Sequence, residues 1–120
     1  MCSLSINNRD TVYSAVIRYI KEQIASAKLE PGQEIPSRRE LASRLKINSN
    51  TVQRAYKIME EEGLIYTERN RRSKITKDEK ILGSVREELI LQAVSSFVIS
   101  IRSINVPVDE VLDLVNKNYM

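Results

Sequence analysis

Two short helical segments, separated by about three residues, limit the fold of this 120-residue chain more than any other feature of its sequence. Pro36 stops the preceding segment, and Ser37 followed by Glu40 forms a capping box, in which each side chain can accept a hydrogen bond from the backbone of the other residue. Asn48 is a good N-cap for the second helix, and Gly63 can adopt the left-handed conformation that commonly ends a helix. The sequence therefore predicts a helix-turn-helix unit.

The two helices of this unit differ in the surface that they expose. The first has one narrow apolar face and is expected to end by Lys46, whereas the second leaves a polar and partly basic outer face. In such pairs the second helix can lie in the major groove of DNA, but small helical pairs are common, so the spacing alone is a weak indication. The side chains expected to face inward are Leu41, Ala42, Leu45, Val52, Ala55, Tyr56 and Met59.

A longer amphipathic helix is predicted before the pair. Asp10 can cap this helix, which is expected to end near Lys28. The next segment, residues 29–36, contains two prolines and a glycine, and it is predicted to form a turn or a short edge strand. The apolar positions of the helix recur at steps of three and four residues and are Tyr13, Val16, Ile17, Ile20, Ile24 and Ala27.

A short hairpin, or wing, is predicted after the pair. Residues 64–67 and 74–76 are strand-like, and Asn70 offers a turn between them. The tip is strongly basic, which suits phosphates or a narrow minor groove, although charge can also simply keep an exposed hairpin soluble. The basic residues of the tip are Arg69, Arg71 and Arg72.

The charge of the chain is concentrated in its centre. The formal net charge is only +3, but eleven basic residues and five acidic residues lie between Pro36 and Lys77. A basic segment of this kind is what phosphate neutralisation requires, because lysine and arginine release counterions when they contact a nucleic acid. The distribution favours double-stranded DNA as a partner over a merely solvated surface.

The composition argues against several other classes of protein. There is no histidine, which removes the usual general base and the commonest metal ligand, and three scattered glycines make no phosphate-binding loop. Cys2 is the single cysteine, so neither an internal disulfide nor a cluster of thiol ligands can form. We expect no enzyme activity, no cofactor and no metal. Without a leader pattern or an apolar run near ~18 residues, the chain is expected to be cytoplasmic and not membrane-bound.

The last third of the chain predicts a different unit. Residues 78–104 form one apolar-rich helical stretch, residues 105–107 break it, and residues 108–117 form a short final helix. A helix that is apolar over so wide an arc needs more cover than a small domain supplies, so a second copy of the chain is implied as a partner. The predicted dimerisation residues are Leu82, Val85, Leu89, Ile90, Val94, Phe97, Val98, Ile101, Val111, Leu112 and Val115.

The predicted fold class is therefore mainly α with a small β-wing. Residues 1–77 are expected to form a winged helix-turn-helix domain, and residues 78–120 a two-helix dimerisation tail. Between Tyr13 and Ile75, three motifs in register resemble the GntR family of bacterial transcription regulators. These motifs are Pro36-Ser37-Arg38-Arg39-Glu40-Leu41-Ala42, Asn50-Thr51-Val52-Gln53-Arg54-Ala55-Tyr56 and Glu61-Glu62-Gly63-Leu64-Ile65-Tyr66.

The short tail resembles that of the YtrA-like subgroup, whose members lack a large ligand-binding domain and dimerise through the tail. This resemblance implies a dimeric repressor that occludes a palindromic operator, in a subgroup that often governs neighbouring transporter genes. A protein-interaction adaptor built on the same fold is the alternative function, and a small-molecule effector is left open.

The resemblance also implies roles for individual residues. Arg39 matches a base-contacting arginine, Asn50 and Thr51 match contacts at the recognition helix, and Arg54 matches a phosphate partner. Gln53 stands where many relatives have arginine, which moves the expected preference toward adenine. The full set of predicted DNA-binding residues is Ser37, Arg38, Arg39, Asn48, Ser49, Asn50, Thr51, Gln53, Arg54, Lys57, Arg69, Arg71 and Arg72.

The sequence departs from the family pattern at two turns. Lys46 stands where a glycine usually makes the turn, at a cost of ~1 kcal/mol for a left-handed lysine. Asn70 and Arg72 replace glycines of the wing, and a bulkier tip is expected to rest against phosphates. Glu60, Glu61 and Glu62 are interpreted as a solvated helix end.

Overall fold

The computed structural model describes residues 11–119, which contain five helices and one two-stranded antiparallel sheet. By its internal contacts the chain divides into two compact units, the first ending at Glu87 and the second beginning at Glu88. This division falls inside a helix, further along the chain than the boundary predicted between residues 77 and 78. The elements are α1 Val12–Ala25, α2 Arg38–Leu45, α3 Ser49–Glu61, β1 Ile65–Thr67, β2 Ser73–Ile75, α4 Glu79–Arg102 and α5 Val108–Tyr119.

The core of the first unit is built around α3. This helix packs against α1, α2 and β1. All four of its predicted inward residues are buried; of the three residues predicted to face inward from α2, two are buried and Leu45 is half-buried. The pattern of apolar residues at helical spacing is therefore confirmed for the helix-turn-helix. The buried residues in question are Val52, Ala55, Tyr56 and Met59 of α3, and Leu41 and Ala42 of α2.

The ends of α1 differ from the prediction. Thr11 is the N-cap, since its hydroxyl accepts a hydrogen bond from the Ser14 amide at 3.2 Å. The expectation that Asp10 caps the helix is therefore wrong, and Asp10 itself lies outside the described residues. Ala27 is predicted to face the core but is exposed, because α1 ends at Ala25 and Ala27 already has a left-handed backbone with φ of 62°.

The turn between α2 and α3 confirms the sequence interpretation. Lys46 is left-handed, with φ of 57° and ψ of 46°, and it forms the C-cap of α2. The Ile47 amide then donates to the Ala42 carbonyl at 3.0 Å, which closes the end of the helix. The N-caps are Ser37 for α2 and Asn48 for α3, as the sequence predicts.

The wing is confirmed to within one residue at each strand. Ile65 is opposite Ile75 and Thr67 is opposite Ser73. The segment before α2 runs along the other edge of β2, where the Ile35 amide donates to the Ser73 carbonyl at 2.9 Å and the Ile75 amide donates to the Gln33 carbonyl at 2.9 Å. These bonds match the predicted edge strand. They connect the segment that leads into α2 with strand β2 of the wing.

The second unit contains the C-terminal part of α4 and all of α5. None of the residues from 88 to 119 is buried in the single chain, and large apolar side chains are exposed along both helices. Val85 is different, since it lies in the first unit and is only 4% exposed, so it has almost no surface to offer a partner. Leu82 is half-buried. Within residues 11–119 no helix is both long enough and apolar enough to span a bilayer.

Two glycines are expected to respond in opposite directions to substitution by alanine. Gly63 has φ of +77°, and a Cβ atom there would lie 3.2 Å from Ile81 Cδ1, so Gly63→Ala is expected to lower the free energy of unfolding by about 1–2 kcal/mol. Gly83 lies in α4, where an added Cβ atom would meet no described atom within 4 Å beyond its chain neighbours and its own helix backbone. Gly83→Ala should raise the free energy of unfolding by about 0.5–1 kcal/mol.

Urea denaturation of both variants, followed by helical circular dichroism, measures these changes. The Gly83 variant is the matched control, because it adds the same methyl group to an open helical position. Destabilisation by Gly83→Ala, or an unchanged unfolding curve for Gly63→Ala, would contradict this description of the two positions.

Candidate nucleic-acid interface

One open groove of about 690 Å³ brings together the starts of α2 and α3 and the tip of the wing. These three pieces are distant in sequence and all belong to the first unit. Among the described residues no acidic side chain lines the groove, whereas four of its lining side chains are arginines. The lining residues are Ser37, Arg38, Arg39, Ser49, Asn50, Gln53, Tyr56, Asn70, Arg71, Arg72 and Ser73.

The structure places eight of the thirteen predicted DNA-binding residues in this groove. Five others lie outside its lining: Asn48, Thr51, Arg54, Lys57 and Arg69. Three lining residues were not predicted to bind DNA and are Tyr56, Asn70 and Ser73.

Asn48 is the N-cap of α3. Its side-chain oxygen accepts a hydrogen bond from the Asn50 amide at 2.7 Å, which satisfies one of the free amides at the start of α3. Asn50 and Gln53 follow on the exposed surface of the helix and both line the groove. The cap thus fixes the helix turn that carries these two amide side chains.

Arg39 of α2 is an exposed residue that also lines the groove. It is the second residue of α2, directly after the capping region, and its side chain faces solvent. Among the residues that the structure describes, none forms a hydrogen bond or ion pair with this side chain. Its five donors therefore remain available to a ligand.

Arg54 lies against α1 rather than in the groove. Its guanidinium carbon is 4.1 Å from the centre of the Tyr13 ring. Such stacking leaves the edge of the guanidinium accessible while it fixes the plane of the group. The predicted phosphate contact of Arg54 is compatible with this position, outside the groove lining.

The wing is held beside α2 by an ion pair that the sequence did not predict. Arg72 Nη2 is 2.7 Å from Glu40 Oε1, and Arg44 Nη2 is 3.8 Å from Glu40 Oε2. Arg72, one of the three wing arginines predicted to suit phosphates, is therefore paired within the protein, and its predicted DNA contact stays a prediction. The pair is solvent-accessible, so it contributes at most about 1 kcal/mol and is exchangeable for another anion.

The same glutamate completes the capping box. The Ser37 hydroxyl accepts from the Glu40 amide at 3.2 Å. The pKa of the Glu40 carboxyl is lowered first by a hydrogen bond with the Ser37 side chain, then by Arg72 and by the Ser37 backbone, with desolvation acting in the opposite sense. The carboxylate stays charged where it joins the start of α2 to the wing.

Arg38 is engaged within the protein. Its guanidinium forms an ion pair with Glu60 and lies 5.0 Å from the centre of the Tyr56 ring. Glu60 is half-buried and paired with Arg38, whereas Glu61 and Glu62 are exposed, as expected of a solvated helix end. Sequence patterns did not show this pair, because the partners are twenty-two residues apart and meet only when α2 packs on α3.

Tyr56 anchors the entry to α2. Its ring is buried, and its hydroxyl donates to the Pro36 carbonyl at 2.6 Å. Burial raises the pKa of Tyr56 to about 12. The inward spacing of Tyr56 predicted its burial, but only the packed structure shows that its polar end reaches the groove.

Tyr56→Phe is expected to lower the free energy of unfolding by about 1–2 kcal/mol at pH 7, because the Pro36 carbonyl loses its donor. The pKa of Tyr56 is raised above its ordinary value of 10, so the stability linked to the neutral hydroxyl is complete below pH 10 and is lost between pH 10 and about 12. The difference in stability between the two proteins should therefore shrink over this interval.

Urea denaturation of both proteins at pH 8, 10 and 11 tests this. Both proteins contain the same lysines and the same other tyrosines, so the titration of those groups affects the stability of both equally and cancels in the difference. A stability difference that stays constant from pH 8 to pH 11 would contradict the proposed environment of the hydroxyl.

Comparison with known proteins agrees with this arrangement. Residues 12–75 match the family described as "Bacterial regulatory proteins, gntR family". The HTH-type transcriptional repressor YtrA of Bacillus subtilis is 36% identical over 80 residues, which are 67% of this chain and 62% of that protein. The uncharacterized HTH-type transcriptional regulator YhcF of the same organism is 28% identical over 102 residues, covering 85% of this chain and 84% of the relative.

A solved structure extends the similarity to almost the whole chain. A GntR family transcriptional regulator from Listeria monocytogenes has a TM-score of 0.85 and 27% sequence identity, over 93% of this chain and 98% of that one. Residues 12–75, which match the gntR family, contain α1 to β2 and therefore include every residue of the groove. The chain therefore belongs to the GntR family of bacterial transcription regulators, has similarity to its YtrA-like members, and carries the winged helix-turn-helix domain of a DNA-binding protein rather than an enzyme.

Proposed function

We propose that the groove of the first unit reads a specific DNA sequence and that the protein acts as a repressor. The observation that carries this proposal is the convergence of three separate elements on one groove, which four arginines and no acidic residue of the described chain line. A cationic, amide-bearing concave surface is complementary to the phosphates and base edges of a duplex. Its position at the start of α3 is that of a recognition helix entering the major groove.

Base reading is assigned to the side chains whose donors are free and exposed. Arg39 suits guanine O6 and N7, and Asn50 and Gln53 suit adenine N6 and N7, each such contact discriminating by about 1–3 kcal/mol. Ser49 and Thr51 are small hydroxyl residues beside them and supply shorter polar contacts, whereas the Ser37 hydroxyl is engaged by Glu40. Together these groups predict an operator half-site that contains both guanine and adenine.

Phosphate contact is assigned to the basic residues around the groove. Arg71 lines it on the wing, while Arg54, Lys57 and Arg69 lie outside its lining. Arg72 can exchange the Glu40 carboxylate for a DNA phosphate, since its ion pair is solvent-accessible. Such contacts orient the protein on the duplex and make its affinity depend on salt.

The second unit is proposed to pair two copies of the chain. Ile90, Val94 and Phe97 of α4 are between 42% and 50% exposed, and α5 exposes further large apolar side chains. An apolar groove of about 400 Å³, with Phe97 and Leu114 among its lining residues, lies within this unit. Apolar surface of this extent is rarely left in water, so a second copy is proposed to cover it. The predicted interface residues keep this role except Val85.

A symmetric dimer presents two recognition helices, so the proposed operator is a palindrome with half-sites about one helical turn apart. Occupancy of such a site blocks transcription, which is consistent with the repressor named YtrA. We extend the proposal to a cytoplasmic protein that governs transporter genes, as the YtrA-like resemblance implies. No cofactor or metal is assigned to either unit.

Equilibrium binding to a duplex recovered by selection from random DNA tests the proposal. The selected duplex should bind at least about a thousandfold more tightly than a scrambled duplex of the same length at physiological salt. Added sodium chloride should weaken binding of both duplexes, because counterion release is part of each interaction. Equal affinity for the two duplexes would refute sequence reading by the groove.

A further inference from the structure

Two residues of α3, one helical turn apart, contact the entry to α2. Tyr56 donates its hydroxyl hydrogen bond to the Pro36 carbonyl at 2.6 Å, and Glu60 forms an ion pair with Arg38. Residues four apart lie on the same face of a helix, so both contacts come from one side of α3. The backbone on either side of Ser37 is thereby fixed to the recognition helix.

Arg38 lies between these two contacts. Its guanidinium is 5.0 Å from the centre of the Tyr56 ring and its Nη2 meets Glu60 Oε1. Within the part of the chain that the structure describes, Arg38 Nε is buried and has no hydrogen-bond partner. The Glu60 carboxylate therefore provides the ionic restraint that keeps this guanidinium in place beside the ring.

Arg39 follows directly and is exposed in the groove. Its Cα position is set by the same short backbone segment that Tyr56, Arg38 and Glu60 hold against α3. The distance between Arg39 and the amide side chains of Asn50 and Gln53 therefore depends on this restraint. Simultaneous contacts with several base edges require such a fixed distance.

We propose that Glu60 is a positioning residue for DNA reading: through Arg38 it fixes the start of α2, and with it Arg39, relative to the recognition helix. This proposal rests on the proposed function, because it concerns discrimination between DNA sequences. It also predicts that loss of the Glu60 charge changes the affinity for DNA in the direction opposite to that expected from charge alone. Removal of a negative charge near a phosphate-binding surface should strengthen binding, whereas loss of positioning should weaken binding of the selected sequence.

Glu60→Gln in the full chain tests this, with Glu61→Gln as the matched control. Glu61 is the next residue of α3 and is exposed, so its substitution removes the same charge without touching Arg38. Fluorescence anisotropy would measure the affinity for the selected duplex and for a scrambled duplex. Glu60→Gln is expected to lower the selected-to-scrambled affinity ratio by about tenfold, while Glu61→Gln leaves this ratio within about twofold of the parent protein.

A second variant, Arg38→Lys, keeps the positive charge but loses the planar group that stacks and pairs. It is expected to lower the same ratio without changing the salt dependence of binding. The double variant Arg38→Lys with Glu60→Gln should show no further loss, because both changes remove one restraint. Thermal unfolding of each variant identifies a loss of folding, and Arg38→Lys then provides the comparison if Glu60→Gln is unfolded.

An unchanged affinity ratio in folded Glu60→Gln would overturn the proposal. So would equal losses for Glu60→Gln and Glu61→Gln, or additive losses in the double variant. If the parent protein does not distinguish the two duplexes, the proposed function fails before any variant is compared. The two failures are therefore separable.

Discussion

Arg39→Ala is expected to lower the affinity for the selected duplex by about 100-fold or more, while its thermal unfolding stays that of the parent protein. The Arg39 side chain is exposed in the groove and, within residues 11–119, has no hydrogen bond or ion pair to lose. Truncation therefore removes a base contact without an accompanying loss of packing. In a symmetric dimer the contact is lost twice, once in each half-site.

Arg44→Ala is the matched control for this prediction. Arg44 lies on the same helix, is exposed and lies outside the groove lining, with a weak pair to Glu40 at 3.8 Å. Both substitutions remove one positive charge, so they change non-specific attraction similarly. Titration of labelled selected and scrambled duplexes should show a loss of discrimination for Arg39→Ala alone. Equal behaviour of the two variants would favour the adaptor alternative, in which the groove reads no sequence.

Val94→Asp is expected to convert a dimer into a monomer at micromolar concentration. Val94 is half-exposed in the single chain, so an aspartate there is solvated in the monomer and leaves its fold intact. In a twofold interface the same substitution buries two unpaired carboxylates, each at a cost of several kcal/mol. Dimerisation should weaken by at least about 100-fold, and the variant should bind a palindromic duplex with a large loss of affinity.

Ser96→Asp provides the control for the tail, since it adds the same charge to an exposed polar position on another face of α4. Light scattering coupled to size-exclusion chromatography, over a range of concentrations, would give the mass of each protein. A parent protein that is monomeric at all concentrations would remove the basis of the prediction. So would a Val94→Asp variant with the same dimer mass as Ser96→Asp.

Local signals predicted most of the first unit. Ser37 and Asn48 act as N-caps, Gly63 and Lys46 are left-handed at helix ends, and the wing strands pair about the turn at Asn70. These features depend on contacts within a few residues, which a sequence displays directly. The error at α1 has the same origin, because Asp10 and Thr11 are both good N-caps and the sequence does not decide between them.

The candidate site was predicted less completely, because its geometry depends on contacts between distant segments. Arg38 and Glu60 meet through the packing of α2 on α3, and Arg72 of the wing meets Glu40 of α2, although each pair is far apart in sequence. Charge patterns identified these residues as basic or acidic surface without their partners. The wide apolar arc of α4 did predict exposed apolar side chains, but not that Val85 is already buried.

The proposed recognition of DNA requires that two copies of the groove read two copies of a half-site. Selection of bound sequences from random DNA by the purified protein tests this most directly, because base preference, symmetry and spacing emerge together. We predict an enriched inverted repeat with half-site centres about 10 base pairs apart, or a multiple of this spacing. A pool without any enriched motif, or with a single unrepeated half-site, would contradict this mode of recognition.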